Sequence, residues 1–182
     1  MSKIGRKPIA LGDVKVEIKG KEVHYKGKLG SGIYVLPSEL VAEEVDGALL
    51  LKAADDRVKG SRDFNRIWGL HRALLSNAIV GVKEGFEKDI QITGLGYKAA
   101  AAGSKLTFTL GYSHKIDFEL PKDVSITIDK SGQKLKLTST DKQKLGQVCS
   151  HIKSLRKTEP YKGTGIRLTT DTVIRKAGKT KA

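Results

Sequence analysis

The sequence predicts an α+β fold: two tandem copies of a small domain, each an antiparallel sheet packed on one helix. Three observations carry that expectation. Apolar residues alternate with polar ones in two separate passages, each passage ends in one amphipathic helix, and 20 glycines supply enough tight turns for short strands. With 182 residues, each half can still bury a modest core, and 38% hydrophobic residues with only 5% aromatics suit a core of Val, Ile and Leu.

In the first half, Val14, Val16 and Ile18 alternate, then Val23 and Tyr25, and later Leu49 and Leu51. Gly20-Lys21, Gly27 and Gly30-Ser31-Gly32 read as the turns between them. A helix follows. Phe64, Ile67, Trp68, His71, Leu74, Leu75, Ala78, Ile79 and Val82 recur at intervals of three and four, one apolar stripe on which Trp68 should be mostly buried. Arg62, Arg66, Arg72 and Asn77 fall off that stripe.

The second half repeats the plan with little residue identity. Ile90 and Ile92 open it, followed by Leu106, Phe108, Leu110 and Tyr112, then Ile116 and Phe118, then Val124, Ile126 and Ile128, then Leu135 and Leu137. Thr140-Asp141-Lys142-Gln143 reads as a capping box with Thr140 as N-cap. The helix it starts places Leu145, Val148, Cys149, Ile152 and Leu155 on one face, and Pro160 lies beyond its end. The expected domains are residues 1–82 and 83–182, joined around Val82–Lys88.

Charge is distributed unevenly. The net charge is +14, from 34 Lys and Arg against 20 Asp and Glu. Residues 1–28 hold eight positive and three negative side chains, residues 29–141 fifteen of each, and residues 142–182 eleven positive and two negative. The two ends therefore carry the whole excess. Like charges destabilise a compact state, so such ends point to a polyanionic partner, nucleic acid above all. A membrane surface is the weaker reading, since no long basic amphipathic helix is present. No apolar run reaches membrane-span length, and Met1–Leu11 lacks the hydrophobic stretch of a secretion signal. The single cysteine, Cys149, excludes an intramolecular disulfide and fits a reducing cytosol, with the thiol as a small core group.

Motifs that resemble catalytic machinery fail on context. Gly94-Leu95-Gly96-Tyr97-Lys98-Ala99 matches the loose dinucleotide fingerprint, but an alternating strand follows where a helix is required, so it reads as a glycine-rich hairpin connection. Gly178-Lys179-Thr180 resembles the end of a phosphate loop, yet Val173 stands where the first glycine belongs. His24, His71, His114 and His151 share no metal-ligand spacing. Ser113 and His114 are adjacent, and neighbouring side chains on a strand point oppositely. No acid–base pair or activated nucleophile emerges, and no cofactor or metal is expected.

What remains is positive charge with turn residues. Lys142, Lys153, Arg156 and Lys157 lie off the apolar face of the second helix. The next segment, Glu159-Pro160-Tyr161-Lys162-Gly163-Thr164-Gly165-Ile166, joins a rigid proline, a tyrosine that can stack on a base, a lysine, and glycines that let backbone N–H groups approach phosphate. Residues 174–182 carry Arg175, Lys176, Lys179 and Lys181 with almost no apolar material, and so should order only when phosphates hold them.

Several of these segments carry a family likeness. Ser2-Lys3-Ile4-Gly5-Arg6-Lys7-Pro8-Ile9, Gly94–Ala99, Gly111-Tyr112-Ser113-His114-Lys115-Ile116, Asp141-Lys142-Gln143-Lys144-Leu145-Gly146-Gln147 and Glu159–Ile166 together resemble the bacterial sixth large-subunit ribosomal protein family, in order and across the chain. Thr164 stands where the family motif usually has lysine, and Lys3 where it usually has arginine, which loses a bidentate fork for phosphate. The resemblance implies a non-catalytic, cytoplasmic protein of the ribosome that binds large-subunit (23S-type) rRNA mainly through its second domain. It also implies a place near the lateral stalk base and the sarcin–ricin loop, among neighbouring ribosomal proteins and close to translation factors. With the charge map, it marks Arg6, Lys7, Lys98, Lys142, Lys153, Arg156, Lys157, Tyr161, Lys162, Arg167, Arg175, Lys176 and Lys179 as RNA-binding residues. An RNA-acting enzyme is disfavoured by the missing constellation. A general nucleic-acid binder would be marked by equal affinity for random duplex DNA and rRNA.

Overall fold

The computed structural model describes residues 2–45, 47–55, 61–103 and 105–179. Lys181 of the basic tail lies outside them. The chain forms two compact units, Met1–Gly85 and Phe86–Ala182.

The first unit contains β1 (Ile9–Ala10), β2 (Lys15–Lys19), β3 (Glu22–Lys26), β4 (Ser31–Val35), β5 (Leu40–Val45), β6 (Ala48–Ala53) and α1 (Arg62–Lys83). Its strands make two three-stranded antiparallel sheets, β1-β6-β5 and β2-β3-β4. Val23, Leu49, Leu51, Leu75, Ile79 and Val82 bring both sheets and α1 into one core. Ser61 caps α1, its Oγ accepting from Phe64 N at 3.1 Å, and Gly85 at φ 77° follows the end of the helix.

The apolar stripe of α1 is narrower than its period implies. Phe64, Leu75, Ile79 and Val82 are buried, Leu74 is exposed, and Trp68 is half-buried rather than mostly buried. The Trp68 indole lies along the N-terminal turn, its Nε1 donating to Leu51 O at 2.8 Å. Gly30-Ser31-Gly32 is only partly a turn. Gly27 N donates to Gly30 O at 2.9 Å, while Ser31 and Gly32 already belong to β4. Gly32 occurs within a strand because the Tyr25 phenol crosses over it: a Cβ there would meet Tyr25 Oη at 2.4 Å.

The second unit contains β7 (Phe86–Thr93), β8 (Lys98–Ala102), β9 (Lys105–Thr109), β10 (Ile116–Glu119), β11 (Val124–Ile128), β12 (Lys134–Ser139), α2 (Lys142–Leu155) and β13 (Gly165–Leu168). A four-stranded antiparallel sheet, β11-β12-β7-β13, lies against α2, and a three-stranded sheet, β10-β9-β8, completes the unit. Alternation puts Ile90, Ile92, Leu135, Leu137 and Ile166 in the core with Leu145, Val148, Cys149 and Ile152 of α2, while Leu106 and Phe108 enter from the smaller sheet. Cys149 is free and buried, and burial pushes its thiol pKa up.

The α+β plan is thus present twice, with two sheets in each unit. Three local expectations change. The N-cap of α2 is Asp141 and not Thr140: Asp141 Oδ1 accepts from Gln143 N at 2.8 Å and Lys144 N at 3.3 Å. Ser139 Oγ positions it by accepting from Asp141 N at 3.1 Å while donating to Asp123 O at 2.8 Å. Gly94–Ala99 is not a hairpin connection, since it carries the chain from β7 in the larger sheet to β8 in the smaller one. Gly165 and Ile166, read among the turn residues after α2, instead begin an edge strand on β7, with Ile166 opposite Ile92.

Candidate nucleic-acid interface

The end of α2 organises the site. Leu155 closes the helix, and Arg156 turns into extended backbone at φ −150°, ψ 95°. Arg156 O accepts from Ile166 N at 2.9 Å, and Thr158 Oγ1 donates to Ile166 O at 3.2 Å, so the exit from α2 runs beside β13. Gly165 (φ 135°) makes this possible, because a Cβ there would meet Lys157 O at 2.7 Å. The following loop closes on itself: Glu159 N donates to Thr164 O, Gly163 N to Glu159 O, and Thr164 Oγ1 to Glu159 Oε2 at 3.1 Å. Its apex presents Tyr161 and Lys162 to solvent.

Three further segments converge here. The C-terminal segment returns to the loop, with Lys176 N donating to Pro160 O at 2.9 Å and the Arg175 guanidinium filling the space over Gly163. The tail through Lys176 is therefore docked, where a wholly unordered segment was expected. The β9–β10 loop brings Tyr112, whose hydroxyl donates to Leu155 O at 3.1 Å and whose ring centroid is 4.9 Å from the Arg156 guanidinium carbon. His114 is nearly parallel to Tyr112, at 24° with 6.2 Å between centroids. The β7–β8 connection brings Tyr97, whose ring fills the space beside Gly94 and Gly111, and Leu95, which is wholly exposed.

This arrangement sorts the residues expected from sequence. Arg156, Lys157, Tyr161, Lys162, Arg175 and Lys176 come together, and no ion pair joins the five cations to another described residue. Lys179 lies exposed a few residues further along the tail. Lys153 is engaged otherwise: its Nζ meets Asp171 Oδ2 at 2.6 Å, and that hydrogen bond holds the Asp171 carboxyl below its usual pKa. Arg167 lies half-buried on β13, where its Nη2 donates to Gln91 Oε1 at 3.0 Å.

The remaining expected residues belong to other segments. Lys98 opens β8, exposed, just after Tyr97. Lys142 starts α2, roughly 20 Å along the axis from Leu155, with its Nζ 5.6 Å from the Phe86 ring centroid. Arg6 and Lys7 belong to the first unit, exposed on a turn held against α1. There Ser2 N donates to Asn65 Oδ1 at 2.8 Å, and Arg72 donates to Lys7 O and Pro8 O at 3.1 and 2.8 Å.

Sequence reasoning missed Tyr112, His114 and Tyr97 as members of the site. The signal was present in Gly111-Tyr112-Ser113-His114-Lys115, where two aromatic rings stand in a turn segment beside a cation. Chemically the surface offers exposed cations beside partly exposed aromatic rings. No group of three or more His, Cys, Asp or Glu side chains gathers into a metal-binding cluster among the described residues, and none of the described helices is long and apolar enough to cross a membrane.

The family described as Ribosomal protein L6 matches residues 93–168, the stretch that contains most of this surface. Similarity to individual relatives extends over the whole chain. The large ribosomal subunit protein uL6 of Methylacidiphilum infernorum is 41% identical over 181 residues, covering 99% of this chain and 98% of that one. Its counterpart in Methylorubrum extorquens is 38% identical with both chains covered fully, and that of Natranaerobius thermophilus is 40% identical over 99% of each. The chain belongs to the uL6 family of large-subunit ribosomal proteins.

Proposed function

We propose that the chain binds large-subunit (23S-type) rRNA through the end of its second unit, and so helps to hold rRNA structure in the large subunit. The observation that carries this is the convergence of Arg156, Lys157, Lys162, Arg175 and Lys176 from three segments onto one surface. Clustered cations neutralise phosphates and release counterions, which is a principal source of affinity for a polyanion. As a member of a ribosomal-protein family the chain is a structural component and not an enzyme. Its place near the lateral stalk base and sarcin–ricin loop, beside other ribosomal proteins and close to translation factors, belongs to the same proposal and rests on the family resemblance.

The test compares two quadruple variants of the full chain on deproteinised large-subunit rRNA. Changing Lys157, Lys162, Arg175 and Lys176 to Gln should flatten the plot of log affinity against log salt by up to about three units. The control changes Lys15, Lys19, Lys26 and Lys52 of the first unit and removes the same charge. Equal losses from the two variants would reduce the interaction to net charge and refute the site.

A further inference from the structure

We propose that Tyr112 and His114 form a stacking platform for an unpaired base, so that the RNA bound at this surface presents a loop, bulge or strand end here rather than continuous duplex. The inference rests on the rRNA-binding reading above and sharpens it from phosphate neutralisation to recognition of a base face.

The two rings differ in exposure from the aromatic side chains of the first unit. Aromatic side chains of the first unit are used internally: Trp68 bonds Leu51 O and packs on Phe64, and Tyr34 Oη is 2.8 Å from His71 Nδ1. In the second unit Tyr112 is 41% exposed, and His114 is exposed beside it. Tyr112 is held at two points, by its hydroxyl on Leu155 O and by the Arg156 guanidinium over its ring. The loop beneath is braced as well, since Tyr97 occupies the space over Gly111 that any side chain would need. A platform fixed before binding loses little conformational entropy when a ligand arrives.

The ligand class follows from what such rings can touch. In A-form duplex every base face is covered by its neighbours, so only an unstacked base offers a π-face to an aromatic side chain. Arg156 stands beside the platform to take a phosphate that flanks such a base. Stacking also accepts any base, so the platform selects for an unpaired position more than for a particular nucleotide.

The experiment measures affinity of the full chain for deproteinised large-subunit rRNA across a salt series, with a fully paired RNA duplex as the second probe. Tyr112→Leu and His114→Ala should each weaken rRNA binding about tenfold, with the salt slope unchanged because no charge is removed. Tyr112→Phe keeps the ring and should stay within about twofold of wild type. All three should bind the paired duplex as wild type does. Wild-type affinity of a folded Tyr112→Leu/His114→Ala double variant for rRNA would overturn the platform, as would equal losses on rRNA and duplex. Should Tyr112→Leu fail to fold, His114→Ala, in an exposed loop, decides the matter alone. A wild-type chain that binds neither probe would instead overturn the underlying rRNA-binding reading, and the platform with it.

Discussion

Gly5→Ala places a methyl group where the Trp68 indole already lies. The added Cβ would be 2.4 Å from Trp68 Cδ2, 2.7 Å from Cγ and 2.9 Å from Cε2, whereas carbon atoms pack at about 3.5 to 4.0 Å. Either the ring or the N-terminal turn must move by about 1 Å. The ring cannot shift without straining its hydrogen bond to Leu51 O and its packing on Phe64. The turn cannot lift without loosening Ser2 from Asn65 and Lys7 and Pro8 from Arg72. Overpacking of this kind costs about 1–3 kcal/mol, and a weakened hydrogen bond adds about 0.5–1.5 kcal/mol. A loss of about 2 kcal/mol in a unit of this size lowers its melting temperature by about 10 °C. The assay is specific, because Trp68 is the single tryptophan and its fluorescence follows the first unit. The fluorescence transition should fall by that amount while the circular-dichroism transition of the second unit stays in place. An unchanged fluorescence transition would show that the turn is not seated on Trp68, and that Arg6 and Lys7 ride on a free arm.

Three other outcomes follow from the second unit. Gly165→Ala combines a strained φ of 135° with a clash at Lys157 O, and should destabilise this unit by about 2–3 kcal/mol in denaturant melts. Asp171→Asn removes a carboxylate whose pKa is depressed by the Lys153 hydrogen bond. A depressed carboxylate stabilises the fold above its unfolded pKa and loses that contribution as pH falls through the folded value. The variant should therefore be less stable at neutral pH by about 0.5–1 kcal/mol, with no difference left in strong acid. Ending the chain at Val173 removes the Lys176 N to Pro160 O bond, at a cost of about 1 kcal/mol. It also removes Arg175, Lys176, Lys179 and Lys181, so the salt slope of rRNA binding should become shallower by up to about three units while the second unit stays folded.

Much of this architecture is legible in the sequence because burial imposes a period. Leu145, Val148, Cys149 and Ile152 repeat at helical spacing and all are buried, and Leu135 and Leu137 alternate with exposed lysines in β12. The segments left unread or misread are those where tertiary contacts override local signals. Glu43 and Glu44 break the apolar pattern of β5, which is held by its pairing with β6. Gly32 and Gly165 look like turn residues, yet they lie in strands because the Tyr25 phenol and the Lys157 carbonyl need the space. The same limit applies to the site. Lys153 and Arg167 carry the charge expected of the site, and the partners that bond them, Asp171 and Gln91, lie 18 and 76 residues away in the chain. Tyr112 joins the site through Leu155 and Arg156, more than forty residues on, a proximity that no local pattern encodes.

The most direct test of the central claim is zero-length ultraviolet cross-linking of intact large subunits that carry this chain, with the cross-linked residues and nucleotides identified by mass spectrometry. Cross-links to rRNA are expected from the segment spanning Arg156 to Lys176, with Tyr161 and Lys162 among them, and from Tyr112 or His114 to nucleotides outside base pairs. Cross-links confined to the first unit, in subunits where the chain is present at full occupancy, would contradict that claim.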